Sequence, residues 1–296
     1  MTAPRLLVIG RSGQLAVSLA GLQTGAASLV CRGREAFDLT SATSVRALVA
    51  AERPAAILNA AAYTAVDRAE SEPEAAYAVN RDGPAHLAAA AAAAGIPLIH
   101  VSTDYVFDGA KTGPYREDDP TAPLGVYGAS KAAGEAAVRE RLAAHVIVRT
   151  SWVHSPYGAN FVRTMLRLGA ERPELAIVAD QVGLPTYAPD LAEGLVRLAL
   201  ALVAGKTDGF GTFHLAGGGA PVSWHGFAQA IFQRAAARGA IVPRLVRPIP
   251  ASDYPLPARR PANSVLDGAR TSAVHGVALR PWPDALDDSL RALLPV

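Results

Sequence analysis

Lysine is almost missing from this chain: of 28 cationic side chains only Lys111, Lys131 and Lys206 are not arginine. A lysine kept in such a sequence points to a need for a compact, flexible ammonium, which the rigid guanidinium fork does not reproduce. Cysteine is limited to Cys31, which excludes an internal disulfide and a thiolate-rich zinc site. Charge of either sign is scarce in the balance. A net +2 over 296 residues is too weak a basic field for nucleic acid or an anionic membrane surface. Long apolar runs are missing too. Leu6 to Ile9 is strand-length, and the tract Ala88 to Ala94 is too short and too weakly apolar to cross a bilayer. No secretory signal is evident, so the expectation is a cytoplasmic protein with neither membrane nor nucleic-acid partners.

What is present is an alternation of short apolar runs and helical stretches. Half the residues are hydrophobic and only 6% are aromatic, with alanine supplying much of the apolar content, a composition suited to helices packed closely on a sheet. Arg5 to Ile9 reads as a strand buried on both faces, followed by a turn and a helix from Gln14 to Leu22. Further strands are expected at 28–31, 55–58, 98–101 and 145–149, with a helix at 41–51. A long helix is expected to start at Ser71-Glu72-Pro73-Glu74, capped by the serine, and to end at Gly95. This rhythm implies an α/β fold, a doubly wound parallel Rossmann sheet over residues 1–150. After Thr150 the rhythm loosens into helices near 160–170, 189–204 and 223–238 and a proline-rich segment, Pro243 to Pro261. Residues 151–296 are therefore expected to form a smaller mixed α/β substrate-binding lobe, with some segments returning to the first domain.

The turn after the first strand, Gly10-Arg11-Ser12-Gly13-Gln14-Leu15-Ala16, has the make-up of a phosphate cradle. Glycine lets the backbone approach a pyrophosphate, and helix N-terminal amides stabilise its charge. Gly10, Ser12, Gly13, Gln14 and Leu15 are the candidates here. At the end of the second strand stand Arg32 and Arg34 where an acid would bind a free ribose 2′-hydroxyl. Guanidinium groups there suit a 2′-phosphate, so NADPH is expected with NADH possible; the same residues also read as solvated strand-end charges. Asp38 and Leu39 either hold an adenine or simply precede a helix. Ala60, Ala61, Ala62, Tyr63 and Thr64 follow the third strand, where small residues leave room for a bridging cofactor, and Val101 ends the fourth.

Ser102-Thr103-Asp104 stands at the carboxyl end of the fourth strand, and Tyr127 and Lys131 follow at helical i, i+4 spacing, so that both can reach one bound molecule. A phenol able to give a proton, an ammonium beside it and a hydroxyl to orient a carbonyl are the groups that hydride transfer to a ketone requires.

Together these residues resemble the extended short-chain dehydrogenase/reductases, and within them the dTDP-4-dehydrorhamnose reductase family. The resemblance rests on the run Asn59 to Asp67 with Ala69-Glu70, on Ser102 to Gly109, and on Val126-Tyr127-Gly128 with Lys131 and Gly134-Glu135. It continues through Arg149 to Val153, Asn160-Phe161, Asp180-Gln181 with Pro185-Thr186, and Arg260-Pro261 with Asn263-Ser264, covering nearly the whole chain. It implies that Tyr127 protonates a 4-keto oxygen, that Lys131 binds the nicotinamide ribose and favours the phenolate, and that Thr103 bonds the same oxygen. It also implies a sugar pocket lined by Val66, Asp104, Tyr105, Trp152 and Asn160. Arg260 is the arginine placed for a nucleotide-sugar diphosphate, while Ser223-Trp224-His225 reads as a helix cap or a nucleotide contact.

The chain departs from the family at one point. Some members dimerise around a magnesium ion held by carboxylates, and at the corresponding positions stand Ser18 and Pro189, with Asp190 one step on. A hydroxyl and a proline are poor substitutes for hard carboxylate ligands, so no metal and a monomer or weak homodimer are expected. The implied activity is NADPH-dependent reduction of dTDP-4-dehydro-6-deoxy-L-mannose. A related 4-keto-6-deoxysugar nucleotide, or a non-catalytic role like that of the methionine adenosyltransferase β subunit, would fit the same residues.

Overall fold

The computed structural model describes residues 3–294. Its first half runs β1 (Arg5–Ile9), α1 (Gln14–Gly21), β2 (Ser28–Arg32), α2 (Ala42–Glu52), β3 (Ala56–Asn59), α3 (Val66–Ala69), α4 (Pro73–Tyr77), α5 (Gly83–Ala94), β4 (Leu98–Thr103), α6 (Val126–Arg141) and β5 (His145–Thr150). The second half continues β6 (Val153–His154), α7 (Phe161–Glu171), β7 (Glu174–Val178), β8 (Val182–Gly183), β9 (Thr186–Tyr187), α8 (Ala188–Val203) and β10 (Gly211–His214). It ends with β11 (Val222–Ser223), α9 (Trp224–Ala236), β12 (Leu245–Ile249), β13 (Asn263–Ser264), α10 (Ala269–His275) and α11 (Trp282–Leu293).

Six strands form one parallel sheet in the order β10-β5-β4-β3-β1-β2. The chain starts in the middle, runs to the β2 edge and crosses back beyond β1 to β3. The order therefore reverses between β1 and β3, the place where a doubly wound sheet opens a crevice at its carboxyl ends. Leu6, Val8, Leu58, Ile99 and Val148 face α1 and α8 on one side; Leu7, Ile9, Ile57, Leu98 and Ile147 face α2, α5 and α6 on the other. Burial on both faces explains the unbroken apolar runs. The edge strand β10 comes from far along the sequence, pairing Gly211–His214 with Val146–Arg149. A separate core gathers Val162, Met165, Phe227, Ile231, Trp282 and Leu286 under α7, α9 and α11. Among the described residues no helix is long and apolar enough to cross a membrane.

Two expectations change. Ser71 does not cap the helix after it: its hydroxyl donates back to the Arg68 carbonyl, and Pro73 opens α4 with no side-chain cap. The single long helix expected up to Gly95 is interrupted by a π-helical turn over Ala78–Asp82, where Asn80 turns inward at 1% exposure. Single π turns commonly mark functional positions, and this one supports α6.

Candidate active site

Helix α6 carries Tyr127 and Lys131 and is held at its start and along its inner face. The Glu70 carboxylate accepts from the Val126 N–H at 2.9 Å, capping the first turn from a different element. Asn80 donates to Ser130 Oγ at 3.0 Å, and Ser130 Oγ donates to the Tyr127 carbonyl at 2.8 Å. Gly128 and Gly134 lie so close to Tyr105 and Asn80 that an added Cβ would collide with backbone carbonyl oxygens. Below them Glu135 accepts from Arg149 Nε and Nη2 of β5 at 2.9 and 2.7 Å, a bidentate pair that is 1–2% exposed. Burial works against that carboxylate's charge, but the Arg149 guanidinium outweighs it and keeps the pKa low.

The catalytic candidates converge at the carboxyl end of β4. The rings of Tyr127 and Tyr105 meet edge to face, their centres 5.4 Å apart. Burial raises the Tyr127 phenol to about 12, against the lowering effect of the Thr103 hydroxyl beside it. Tyr127 is thus a protonated phenol rather than a ready phenolate, and the Lys131 amine is engaged elsewhere: Nζ donates to the Val101 carbonyl at 2.7 Å and lies 3.5 Å from His100 Nε2. Thr103 is also engaged. Its hydroxyl donates to Asp104 Oδ1 at 3.0 Å and accepts from the Tyr105 N–H at 3.2 Å. Asp104 is 3% exposed, its Oδ2 has no hydrogen-bond partner, and burial pushes its carboxyl up to about 6. Tyr105 is pushed upward as well, by burial and then by the charge of Asp104.

The turn after β1 fits a dinucleotide. Gly10 has φ +126°, in a region that favours glycine, and a Cβ there would press on Ala16 at 3.2 Å and on Ala60 and Ala61 at 3.5 Å. Gly13 faces open space, and no side chain caps the N-terminus of α1, which leaves its amides for an anion. Gln14 ties this turn to the second half, donating to the Val153 carbonyl at 3.3 Å and accepting from Ser155 Oγ at 2.8 Å. Leu15 belongs to the core under the sheet, and Ser12 is exposed. Ala60, Ala61 and Ala62 follow β3 half-buried, Ala60 and Ala61 packing on the cores of opposite sheet faces, while Thr64 stays exposed and Tyr63 donates to Glu72 at 2.6 Å.

Several predicted ligands have other partners. Arg32 is bonded to Glu52 at 2.6 Å, a carboxylate that Arg5 also holds, whereas the exposed Arg34 makes no hydrogen bond or ion pair among the described residues. Asp38 accepts from the N–H and hydroxyl of Thr40 at 2.9 and 2.7 Å, a turn leading into the Ser41 cap of α2, and Leu39 packs on Gly83. Asn160 caps α7, accepting from the Arg163 N–H and donating to the Ser155 and Tyr157 carbonyls, so its amide is fully engaged. Arg260 is clasped by Asp67 at 2.8 and 3.1 Å. Trp152 sits at φ +49°, a rare backbone for a large side chain, with one indole face stacked on Trp224 at 3.4 Å. Val66 opens α3, half-buried beside Asp67. Ser223 caps α9, accepting from the Gly226 N–H at 3.0 Å. Glu70, Asn80 and His100 escaped the sequence reading. Glu70 stood in the quoted Ala69-Glu70 motif without a role, Asn80 carried no local signal, and only the imidazole of His100 inside an apolar strand could have signalled a buried polar group.

Ser18 donates to the Gln14 carbonyl at 2.9 Å, and Asp190 is held by Arg280 at 2.7 and 3.0 Å. Among the described residues no cluster of three or more His, Cys, Asp or Glu side chains is placed to hold a metal ion.

A parallel doubly wound sheet, an open glycine turn at its switch point and a Tyr-x-x-x-Lys helix facing a threonine at a strand end define the extended short-chain dehydrogenase/reductase class. A family model described as the RmlD substrate binding domain matches residues 4–294. The chain is 45% identical to the dTDP-4-dehydrorhamnose reductase of Sinorhizobium fredii (strain NBRC 101917 / NGR234) over 98% of both chains. It is 42% identical to that of Mycobacterium tuberculosis (strain ATCC 25618 / H37Rv), over 96% of this chain and 94% of that one. Among solved structures, the dTDP-4-dehydrorhamnose reductase of Bacillus anthracis str. Ames in complex with NADP superposes with a TM-score of 0.89 at 35% identity, covering 97% and 99% of the two chains. The fold extends to the UDP-glucose 4-epimerase of Thermus thermophilus, at a TM-score of 0.80, 20% identity and 99% of both chains. The chain belongs to the dTDP-4-dehydrorhamnose reductase family.

Proposed function

We propose that the protein reduces the 4-keto group of dTDP-4-dehydro-6-deoxy-L-mannose with NADPH, giving dTDP-L-rhamnose. The observation that carries the reading is the convergence of Tyr127, Thr103 and Lys131 at the end of β4, beside the crevice of the Gly10 turn. A bound NADPH would supply the hydride. The chain's own residues supply orientation and the proton: Tyr127, held protonated, gives its phenolic hydrogen to the oxygen that becomes the product hydroxyl. Thr103 fixes the phenol from one side and, on releasing Asp104, can bond the same oxygen. Lys131, freed from the Val101 carbonyl, would hold the nicotinamide ribose. The α1 amides and Gly13 would cradle the pyrophosphate, with Arg34 as the cation available for a 2′-phosphate.

Residues 1–150 with β10 and α8 would serve the cofactor, and the rest of 151–296 the nucleotide sugar, over a pocket walled by Val66, Tyr105 and Trp152. A cytoplasmic enzyme, monomeric or weakly dimeric and working without a metal, fits this reading, since Asp190 is neutralised by Arg280 and Ser18 bonds its own helix. The test is to incubate the protein with NADPH and a panel of dTDP-4-keto-6-deoxysugars and to identify the products. Formation of dTDP-L-rhamnose well above any other product is expected. Oxidation of NADPH with none of the sugars would reject the assignment.

A further inference from the structure

A buried polar chain runs behind the site: Asn59 on β3, His100 on β4 and Lys131 on α6, at 0%, 0% and 2% exposure. Its hydrogens can be placed by exclusion. The Ala61 N–H can only donate, and it meets the Asn59 side chain at 3.1 Å, so the atom facing it is the amide oxygen. The Asn59 amide nitrogen is thereby turned to His100 Nδ1 at 3.0 Å, which must accept. Burial, the largest effect, with the charge of Arg139 beside it, keeps His100 neutral by pushing its pKa well below the ordinary histidine range, whichever form Lys131 takes. A neutral imidazole that accepts at Nδ1 carries its hydrogen on Nε2. That nitrogen lies 3.5 Å from Lys131 Nζ. An ammonium would set one donor against another there. The free amine, by contrast, can accept from Nε2 while still donating to the Val101 carbonyl.

We propose that Asn59 and His100 are positioning residues that make the charge of Lys131 conditional, favouring the neutral amine against Nε2–H until a bound nicotinamide cofactor draws it into the cleft as an ammonium. The groups around Lys131 are consistent with this. Glu135 one turn on favours the ammonium, but its own charge is shared between Arg139 and Arg149. From β4 the amine meets only the Val101 carbonyl and His100, with Asp104 beyond, beside Thr103, and Tyr127 presents an uncharged phenol. Burial prevails and lowers Lys131 to about 8, so that the amine form is reached just above neutral pH instead of only in strong base.

The proposal rests on the reading of Lys131 as the reductase amine, but it can be tested without turnover. The chain has three lysines, so protein labelled with carbon-13 at lysine Cε gives three titrating signals, assigned with Lys111→Arg and Lys206→Arg. In the cofactor-free full chain, Lys131 is expected to titrate near 8, and nitrogen-15 spectra to place the His100 hydrogen on Nε2. Asn59→Asp should move that hydrogen to Nδ1, and His100→Gln should offer Lys131 an amide oxygen without adding charge. Both should raise the proton affinity of Lys131 by about tenfold or more. A purely structural role would lower stability and leave the titration in place. The proposal is overturned by a wild-type hydrogen on Nδ1, or by an unshifted Lys131 in His100→Gln, the variant that decides the matter should Asn59→Asp fail to fold.

Discussion

Single side chains in this site are governed by what they already hold. Arg32 and Arg34 look equivalent in the sequence, yet Glu52 occupies Arg32 while Arg34 stands unpaired in solvent among the described residues. Arg34→Glu should therefore lower kcat/KM for NADPH by about tenfold or more with little change for NADH, because a charge-assisted bond is worth roughly 1.5–3 kcal/mol. Arg32→Ala should act mainly on stability. Equal loss with both cofactors in Arg34→Glu would contradict the assignment. Asp104 yields a pH prediction. Its carboxyl, raised from 3.8 to about 6, favours the folded state below pH 4 and loses that contribution as pH rises through 6. Asp104→Asn should gain stability relative to wild type across that interval, by on the order of 2–3 kcal/mol, and hold the gain at higher pH. Denaturant unfolding of both proteins at pH 4 and pH 8 measures it; a constant difference would show that burial does not perturb Asp104.

At the scale of elements, α6 is the part that must not move. It is fixed by contacts that bypass its own sequence: Glu70 at its start, Asn80 and Ser130 along its inner face, and the Glu135–Arg149 pair below. Gly128 allows the helix to close against the Tyr105 carbonyl. Gly128→Ala should displace the turn bearing Tyr127 and cut kcat by about tenfold or more, on the order expected for an ångström-scale misplacement of a reacting group. Circular dichroism should remain native. Full activity in this variant would mean that the close approach has no catalytic consequence. The strands and most helices were legible because burial on both faces writes continuous apolar runs and because Gly95 and Pro73 punctuate the chain. The π turn at Ala78–Asp82 was not, since its cause is a tertiary demand on Asn80 rather than any local preference. The edge strand β10 was likewise hidden: four residues carry little periodic signal, and the partner lies some sixty positions earlier.

Across the whole molecule, the two halves of the sequence are joined at the places where ligands would sit. Gln14 in the cofactor turn bonds Val153 and Ser155, and Asp67 beyond β3 clasps Arg260 near the C-terminal end. Pattern and spacing picked out the Tyr127–Lys131 helix and the glycine turn. They could not reveal that Arg260, Asn160 and Asp38 already have partners, because those partners are set by chain pairing over long distances or by loop geometry. The arrangement converges on one claim, that the Tyr127 phenol protonates the keto oxygen. The direct test is the turnover of Tyr127→Phe with NADPH and the dTDP-4-keto sugar, alongside its affinity for NADPH. A fall in kcat of about a hundredfold or more is expected, with NADPH affinity within a fewfold of wild type. Near-normal turnover by a folded, NADPH-binding Tyr127→Phe protein would contradict it.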